Sequence, residues 1–123
     1  MKGKKMFTFY HYPKCTTCQR AKKELDQLGI SYQAIDLKEN PPTAKILGEL
    51  LDSSDYSLKQ LFNTSGNSYR ALGLKDKFAS LTREEALNLL AADGMLIKRP
   101  LLVKDGKLLQ VGHRKSYREL GLK

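Results

Sequence analysis

The two cysteines of the sequence stand three residues apart, in the segment Cys15-Thr16-Thr17-Cys18. Two thiols at this spacing can react with each other on a helix, because residues three apart lie on the same side of it. Apolar residues recurring every three or four positions from Thr16 onward predict such a helix. With no other cysteine in the chain, the pattern predicts a redox pair, since a secreted disulfide scaffold needs more cysteines.

Cys15 is predicted to be the nucleophile. It falls at the helix start, where unpaired N–H groups and the helix dipole favour negative charge, and Lys14 and Arg20 add positive charge nearby. Lowering the pKa of a cysteine from about 8.5 to about 6 requires about 3.4 kcal/mol. A helix end supplies up to about 2 kcal/mol, and nearby cations would supply the rest. Cys18, one turn inside the helix, is predicted to be the resolving thiol.

Two other interpretations of the cysteines are kept open. Both could be small buried hydrophobic residues without a chemical role. They could also bind zinc together with His11 and His113, but structural zinc takes four ligands and these histidines are isolated in the sequence. We therefore predict no resident metal.

A second segment of interest, Lys98-Arg99-Pro100-Leu101, stands just before a predicted β-hairpin. In a thioredoxin-like sheet, this strand start would face the cysteines. The Arg99-Pro100 bond could be cis, as X-Pro bonds can be. If Arg99 points at Cys15, its planar fork of donors can hold an anion. The alternative is a surface arginine that precedes a turn.

The length of 123 residues, with 41% hydrophobic and 28% charged residues, predicts one domain spanning residues 1–123. No stretch approaches the roughly 20 apolar residues that a membrane span needs, and the basic N-terminus lacks a signal-like apolar run. We therefore predict a cytoplasmic protein without membrane contact. The net charge of +9 fits nucleic-acid binding, activation of a thiolate or oxyanion, or simply a solvated surface. No nucleic-acid motif accompanies it, so direct binding to nucleic acid is not expected.

Hydrophobic periodicity predicts a β-α-β half, a helical insert at about 41–94, and a β-β-α half. The sum is an α/β fold with the thioredoxin layout (a glutaredoxin-like, four-stranded mixed sheet), interrupted by the insert. Within the insert, helix starts are predicted at the caps Thr43, Ser57 and Thr82. The elements outside the insert are strands at Lys5–Tyr10, Ile30–Leu37, Leu101–Val103 and Lys107–Val111, and helices at Thr16–Leu28 and His113–Leu120.

Four segments together give the chain a resemblance to the ArsC/Spx family. They are the run Tyr10–Cys18, the pair Pro41-Pro42, Phe62–Gly66 and Gly94–Leu101. The resemblance covers nearly the whole chain and implies a thioredoxin-like fold with a helical insert.

The resemblance also implies roles for particular residues. In the glutaredoxin-dependent arsenate reductases, the catalytic cysteine matches Cys15, a histidine four residues earlier matches His11, and the arginine of an Arg-Pro pair matches Arg99. Arsenate binds there among arginines and is attacked by the thiolate, and glutathione with glutaredoxin restores the thiol. The remaining predicted substrate contacts are Lys14, Thr16, Thr17, Asn63 and Pro100.

The sequence departs from the arsenate reductases at three points. Asn63 stands where they have an arginine, and their third arginine aligns with Val111 or Gly112, so that Arg114 is near in sequence but not placed at the site. They also usually lack a cysteine at the position of Cys18. The Spx regulators do keep a Cys-x-x-Cys redox switch and bind RNA polymerase, but the segment Asp52–Asp55 lacks the glycine that Spx presents to the polymerase.

We therefore predict a thiol-dependent oxidoreductase, arsenate reductase-like or glutaredoxin-like, that acts on a small oxyanion or disulfide. No bound cofactor is expected, and glutathione, glutaredoxin or the thioredoxin system would supply electrons. The alternative is an Spx-like, redox-sensing transcriptional regulator that binds RNA polymerase.

Overall fold

The computed structural model describes residues 6–122, so the predicted strand start at Lys5 lies outside the described part. Its centre is a four-stranded sheet in the order β2-β1-β3-β4. Strand β1 pairs with β2 in parallel and with β3 antiparallel, and β3 and β4 form an antiparallel hairpin. The predicted thioredoxin-like mixed sheet is thereby confirmed. The strands are β1 (Phe7–His11), β2 (Tyr32–Asp36), β3 (Leu101–Lys104) and β4 (Lys107–Val111).

Three helical segments of the insert begin at the predicted caps. Thr43, Ser57 and Thr82 each accept a hydrogen bond on the side-chain oxygen from a backbone N–H three residues later, which satisfies a donor the helix itself leaves unpaired. The α-helices are α1 (Thr16–Gln27), α2 (Ala44–Asp52), α3 (Asn67–Ala71), α4 (Leu74–Lys77) and α5 (Arg83–Ala92). Short 3-10 turns lie at Leu58–Leu61, Phe78–Ser80, Gly94–Leu96 and Tyr117–Leu120.

The two faces of the sheet carry different layers. Helix α1 packs Ala21 and Leu25 on one face, against Phe9 and the C-terminal Tyr117. The insert covers the other face and shares its buried core with sheet residues such as Leu101. The sheet therefore lies between α1 and the insert, and the loop after β1 opens at the edge where these layers meet.

The predicted C-terminal helix at His113–Leu120 is wrong over its first turn. Residues 113–115 form bends, and only Tyr117–Leu120 coil into a single 3-10 turn. Both ends of the Gln110 amide bond the backbone of Lys115. Glu24 of the distant helix α1 bonds His113 and Ser116. These contacts close a loop instead of a helical turn. Tyr117 is buried as predicted.

The hairpin between β3 and β4 forms as its Asp-Gly pair predicts. Asp105 has φ 51° and Gly106 has φ 81°, the left-handed conformation that such a turn requires at both central positions. Within residues 6–122, none of the helices has the length and hydrophobicity to span a bilayer.

Candidate functional site

The sulfur pair lies where β1 gives way to α1. Cys15 is the N-cap of α1, and its backbone N–H donates to the carbonyl of Tyr12 at 2.9 Å, which closes a tight turn after the strand. The Cys15 side chain is partly exposed, whereas Cys18 is fully buried one turn further along. The predicted positions, an accessible thiol at the helix start and a shielded thiol inside, are the positions found.

The pKa values of the two thiols move in opposite directions. Burial opposes ionisation of Cys15, but hydrogen bonds from the backbone N–H and thiol of Cys18 and from the Thr17 N–H, with the charge of Arg99, outweigh it. The pKa of Cys15 is therefore lowered from its ordinary value. Burial raises the pKa of Cys18 to about 12, so this thiol keeps its proton when Cys15 has lost its own.

Cys15 opens into a cavity of about 310 Å³, here called the thiol pocket. Four basic side chains reach its wall, Arg20, Lys98, Arg99 and Arg114, and none of the carboxylates in the described part of the chain does. Such a wall attracts an anion, and the charge of Arg99 stabilises the Cys15 thiolate. The remaining lining residues are Thr17, Asn63, Gly112 and His113.

Arg99 is held in place and keeps donors available. One terminal nitrogen donates to the carbonyls of Met95 at 3.1 Å and Ile97 at 3.2 Å, and the guanidinium lies over the ring of Tyr12 at 5.6 Å. Its Nε is buried and has no hydrogen-bond partner within residues 6–122. Leaving a buried donor of this kind without a partner is costly. The Arg99-Pro100 bond is cis.

Asn63 and Lys98 reach the pocket through a short backbone pairing. The Asn63 N–H donates to Leu96 and the Lys98 N–H donates to Leu61, each at 2.7 Å. Phe62 and Ile97 form an isolated antiparallel bridge between these two bonds. The insert is thus joined to the strand entry next to Cys15.

The sequence did not place Arg114 at the site, and the structure does. The loop bearing it leaves β4 at Gly112, which has φ 75°, and closes on the two bonds between Gln110 and Lys115. Only its nearness to the end of the hairpin hinted at this position. Arg114 thereby lines the pocket together with Arg99, although Asn63, Val111 and Gly112, which the resemblance aligns with the family's other two arginines, supply no cation.

The loop is also anchored by Glu24, a residue that sequence reasoning missed. This α1 carboxylate is only 6% exposed. It accepts hydrogen bonds from His113 Nε2 at 2.7 Å, the Tyr117 N–H at 2.8 Å and Arg118 Nη1 at 2.7 Å, and one from the Ser116 hydroxyl. Burial opposes ionisation, but the bonds from Ser116, Tyr117 and His113 prevail and lower the pKa of Glu24 to about 2.

The predicted site residues fall into two sets. Cys15, Thr17, Asn63 and Arg99 line the thiol pocket together, with Cys18 buried next to Cys15. The other predicted residues, Lys14, Thr16, His11 and Pro100, do not line it.

His11 illustrates the second set. It is buried at the end of β1, with its ring 5.1 Å from that of Phe9, and burial lowers its pKa against the opposing charge of Asp36. In the described part of the chain, no three His, Cys, Asp or Glu side chains are grouped to hold a metal. His11 and His113 therefore do not join the cysteines as zinc ligands.

The chain is similar in sequence and in structure to known proteins. The ArsC family model matches residues 10–120. A solved structure described as a possible arsenate reductase from Streptococcus mutans UA159 superposes with a TM-score of 0.92 at 60% identity, covering 97% of this chain and 100% of that one.

Curated relatives carry two kinds of name. The uncharacterized protein YusI of Bacillus subtilis is 48% identical over 89% of this chain and 92% of its own length. The regulatory protein MgsR of the same organism is 31% identical over 86% of this chain and 82% of its own length.

Proposed function

The chain belongs to the ArsC family, and on that premise we propose that it is a cytoplasmic thiol-dependent oxidoreductase, arsenate reductase-like or glutaredoxin-like. The observation that carries the proposal is the position of Cys15: a thiol of lowered pKa opens into a pocket lined by four cations and no carboxylate. A thiolate is the reactive form of cysteine, and such a wall gathers anionic substrates around it.

Two kinds of substrate fit this arrangement. The Cys15 thiolate can attack one sulfur of a disulfide, so that a mixed disulfide forms and a thiolate leaves. It can also attack the arsenic of arsenate, held by Arg99 and Arg114, so that a sulfur–arsenic bond forms and one protonated arsenate oxygen leaves as water. A second thiol then attacks the Cys15 sulfur: a disulfide forms, the sulfur–arsenic bond breaks, and its electron pair stays on arsenic, which leaves as arsenite.

Cys18 is proposed as a thiol that releases product. Once its proton is transferred to the departing thiolate, its sulfur attacks the Cys15 sulfur of a mixed disulfide, and a Cys15–Cys18 disulfide remains. Glutathione with glutaredoxin, or the thioredoxin system, is the proposed source of electrons that restores both thiols. The proposal requires no bound cofactor.

A coupled assay tests this function. Reduced protein is incubated with arsenate, glutathione, glutaredoxin and glutathione reductase, and NADPH oxidation is followed; a parallel reaction replaces arsenate with 2-hydroxyethyl disulfide. Turnover of at least one substrate is expected, and Cys15→Ser abolishes it. A matched surface variant, Lys107→Gln, lies at the opposite end of the sheet and keeps it. If the wild-type protein turns over neither substrate, the proposed enzyme function is wrong.

A second candidate function is supported by the similarity to MgsR, a regulatory protein. In this alternative, oxidation of Cys15 and Cys18 switches a surface that binds RNA polymerase. Capture of purified RNA polymerase by the oxidised protein but not by the reduced one would support it. A Cys18→Ser variant, which cannot form the internal disulfide, serves as the control and should not respond to oxidation.

A further inference from the structure

A second cavity, here called the lateral groove, adjoins the thiol pocket. It has a volume of about 710 Å³ and shares Lys98 and Arg114 with the pocket wall. Its own side is formed by the insert, with Tyr56, Lys59 and Phe62 among its lining residues. A molecule whose sulfur reaches Cys15 can therefore extend past Lys98 and Arg114 into this groove.

The groove has the charge of an anion site. Lys59, Lys98 and Arg114 line it, and no carboxylate from residues 6–122 does. None of the three forms a salt bridge with another described residue, whereas Arg83 and Arg118 elsewhere are paired with Asp52 and Glu24. Three cations left without acidic partners at one concave surface favour a ligand that brings negative charge with it.

The other lining residues of the lateral groove fit a small peptide-like ligand. Tyr56 and Phe62 provide aromatic surface. The side-chain oxygen of Gln60 accepts from the Ser57 N–H at 2.7 Å, and its amide nitrogen makes no hydrogen bond with described residues. Apolar surface with a few polar groups and several cations is the composition expected for a ligand with carboxylates on a short polar chain.

We propose that the lateral groove binds the carboxylate-bearing arm of a disulfide substrate, of the glutathione disulfide class, while a sulfur of that substrate reacts with Cys15. The proposal rests on the thiol oxidoreductase function above. The Cys15 thiolate attacks one sulfur of the substrate, the substrate S–S bond breaks, and one half leaves as a thiolate. One S–S bond forms as another breaks, so Cys15 is oxidised, the departing half is reduced, and no further oxidant is needed.

The test measures preference for an anionic over a neutral disulfide. In a Cys18→Ser background, where the mixed disulfide accumulates, mass spectrometry follows the rate of modification of Cys15 by glutathione disulfide and by 2-hydroxyethyl disulfide. Lys59→Glu alters the groove, because Lys59 lines it but not the thiol pocket. Lys107→Glu, at the start of β4, makes the same charge change at the opposite end of the sheet.

The ratio of the anionic to the neutral rate constant is expected to fall about fivefold in Lys59→Glu, and to stay within about twofold of the wild-type ratio in Lys107→Glu. Lys59→Gln, which removes the charge without reversing it, should give a smaller fall in the same direction. An equal ratio in all these proteins overturns the proposal that the lateral groove binds the anionic arm, and leaves the proposed oxidoreductase function intact. Failure of both disulfides to modify Cys15 in the Cys18→Ser parent overturns the oxidoreductase, and the groove with it.

Discussion

At the scale of single residues, position decides which of two chemically identical groups reacts. Cys15 and Cys18 share one segment, yet the pKa of the first is lowered and that of the second is raised to about 12. The helix start gives Cys15 two backbone N–H donors and access to solvent, and Cys18 one turn later is enclosed in protein. The geometry of the first helical turn is thus the basis for the proposed roles of Cys15 as attacking thiol and Cys18 as resolving thiol.

The difference predicts separate alkylation profiles. In Cys18→Ser, the rate of alkylation of Cys15 should rise with pH around a midpoint below that of an ordinary thiol, because its thiolate is stabilised in place. In Cys15→Ser, Cys18 should stay unreactive through neutral pH, since its pKa is far higher. Iodoacetamide labelling followed by mass spectrometry measures both, and a low-pH profile on Cys18 would reverse the assignment.

Arg99 and Arg114 are predicted to differ in their effect on the thiol. The charge of Arg99 lowers the pKa of Cys15, so Arg99→Gln should move the alkylation midpoint upward. Arg114→Gln should move that midpoint less, because Arg114 is not among the main groups that lower the pKa of Cys15. Each change should weaken binding of an oxyanion about tenfold or more, as loss of a charge-assisted bond does. Competition of arsenate against alkylation measures the binding, and equal midpoints in both variants would contradict the prediction.

At the scale of elements, α1 does more than carry the thiols. Its Glu24 holds the loop that follows β4 by four hydrogen bonds, and this loop brings His113 and Arg114 to the pocket. The helix that has Cys15 as its N-cap thus also holds, from its third turn, the loop that lines the thiol pocket. We infer that the rigidity of the pocket depends on this buried carboxylate.

Replacing Glu24 should loosen the loop without changing the nucleophile. Glu24→Gln is expected to lower the free energy of unfolding by about 2 kcal/mol, because a buried hydrogen-bonded charge is lost. Oxyanion binding should weaken with it, while the alkylation midpoint of Cys15 changes little, since Glu24 is not among the main groups that shift the pKa of that thiol. Urea unfolding and the competition assay test this. Glu49→Gln, an exposed change on α2, is the control, and an equal effect of both variants would contradict the prediction.

The same carboxylate predicts how stability depends on pH. The pKa of Glu24 is about 2 in the fold, against 4.5 ordinarily, so a depressed value stabilises the fold above the ordinary pKa. That contribution is fully present above pH 4.5 and is lost as the pH falls toward 2. Urea unfolding at several pH values should show the loss, and the loss should be smaller in Glu24→Gln. Parallel curves for the two proteins would contradict the prediction.

At the scale of the whole molecule, the site requires the insert and the sheet to meet. The thiol pocket takes residues from four stretches of the chain: the start of α1, Asn63, Lys98–Arg99 and Gly112–Arg114. The strand order β2-β1-β3-β4 places the end of β1 beside the start of β3, which brings Cys15 and Arg99 to one edge of the sheet.

Gly94 is predicted to be essential for this meeting. A Cβ at this position would collide with the backbone carbonyl of Leu37, just after β2, where nothing flexible can yield. Gly94→Ala should therefore lower the free energy of unfolding by about 3 kcal/mol. Gly48→Ala is a matched control, because its Cβ would meet only side-chain atoms at 3.4 Å and beyond. Thermal and urea unfolding of the two variants measure the loss. Similar losses of unfolding free energy in both variants would contradict the prediction.

The sequence by itself determined what depends on neighbours along the chain. Residue types and spacing were sufficient to predict the features that depend only on nearby residues. These are the periodicity of α1, the position of Cys15 at its start, the caps Thr43, Ser57 and Thr82, and the Asp105-Gly106 hairpin.

The tertiary structure alone decided what depends on residues far apart. Glu24 and His113 are separated by 89 positions, and no local pattern signals that a carboxylate on one helix will hold a distant loop. For the same reason Arg114 enters the pocket, the predicted last helix loses its first turn, and the lateral groove exists at all. Spacing along the chain placed Cys15 at the helix start, and packing between distant segments decided which residues surround it.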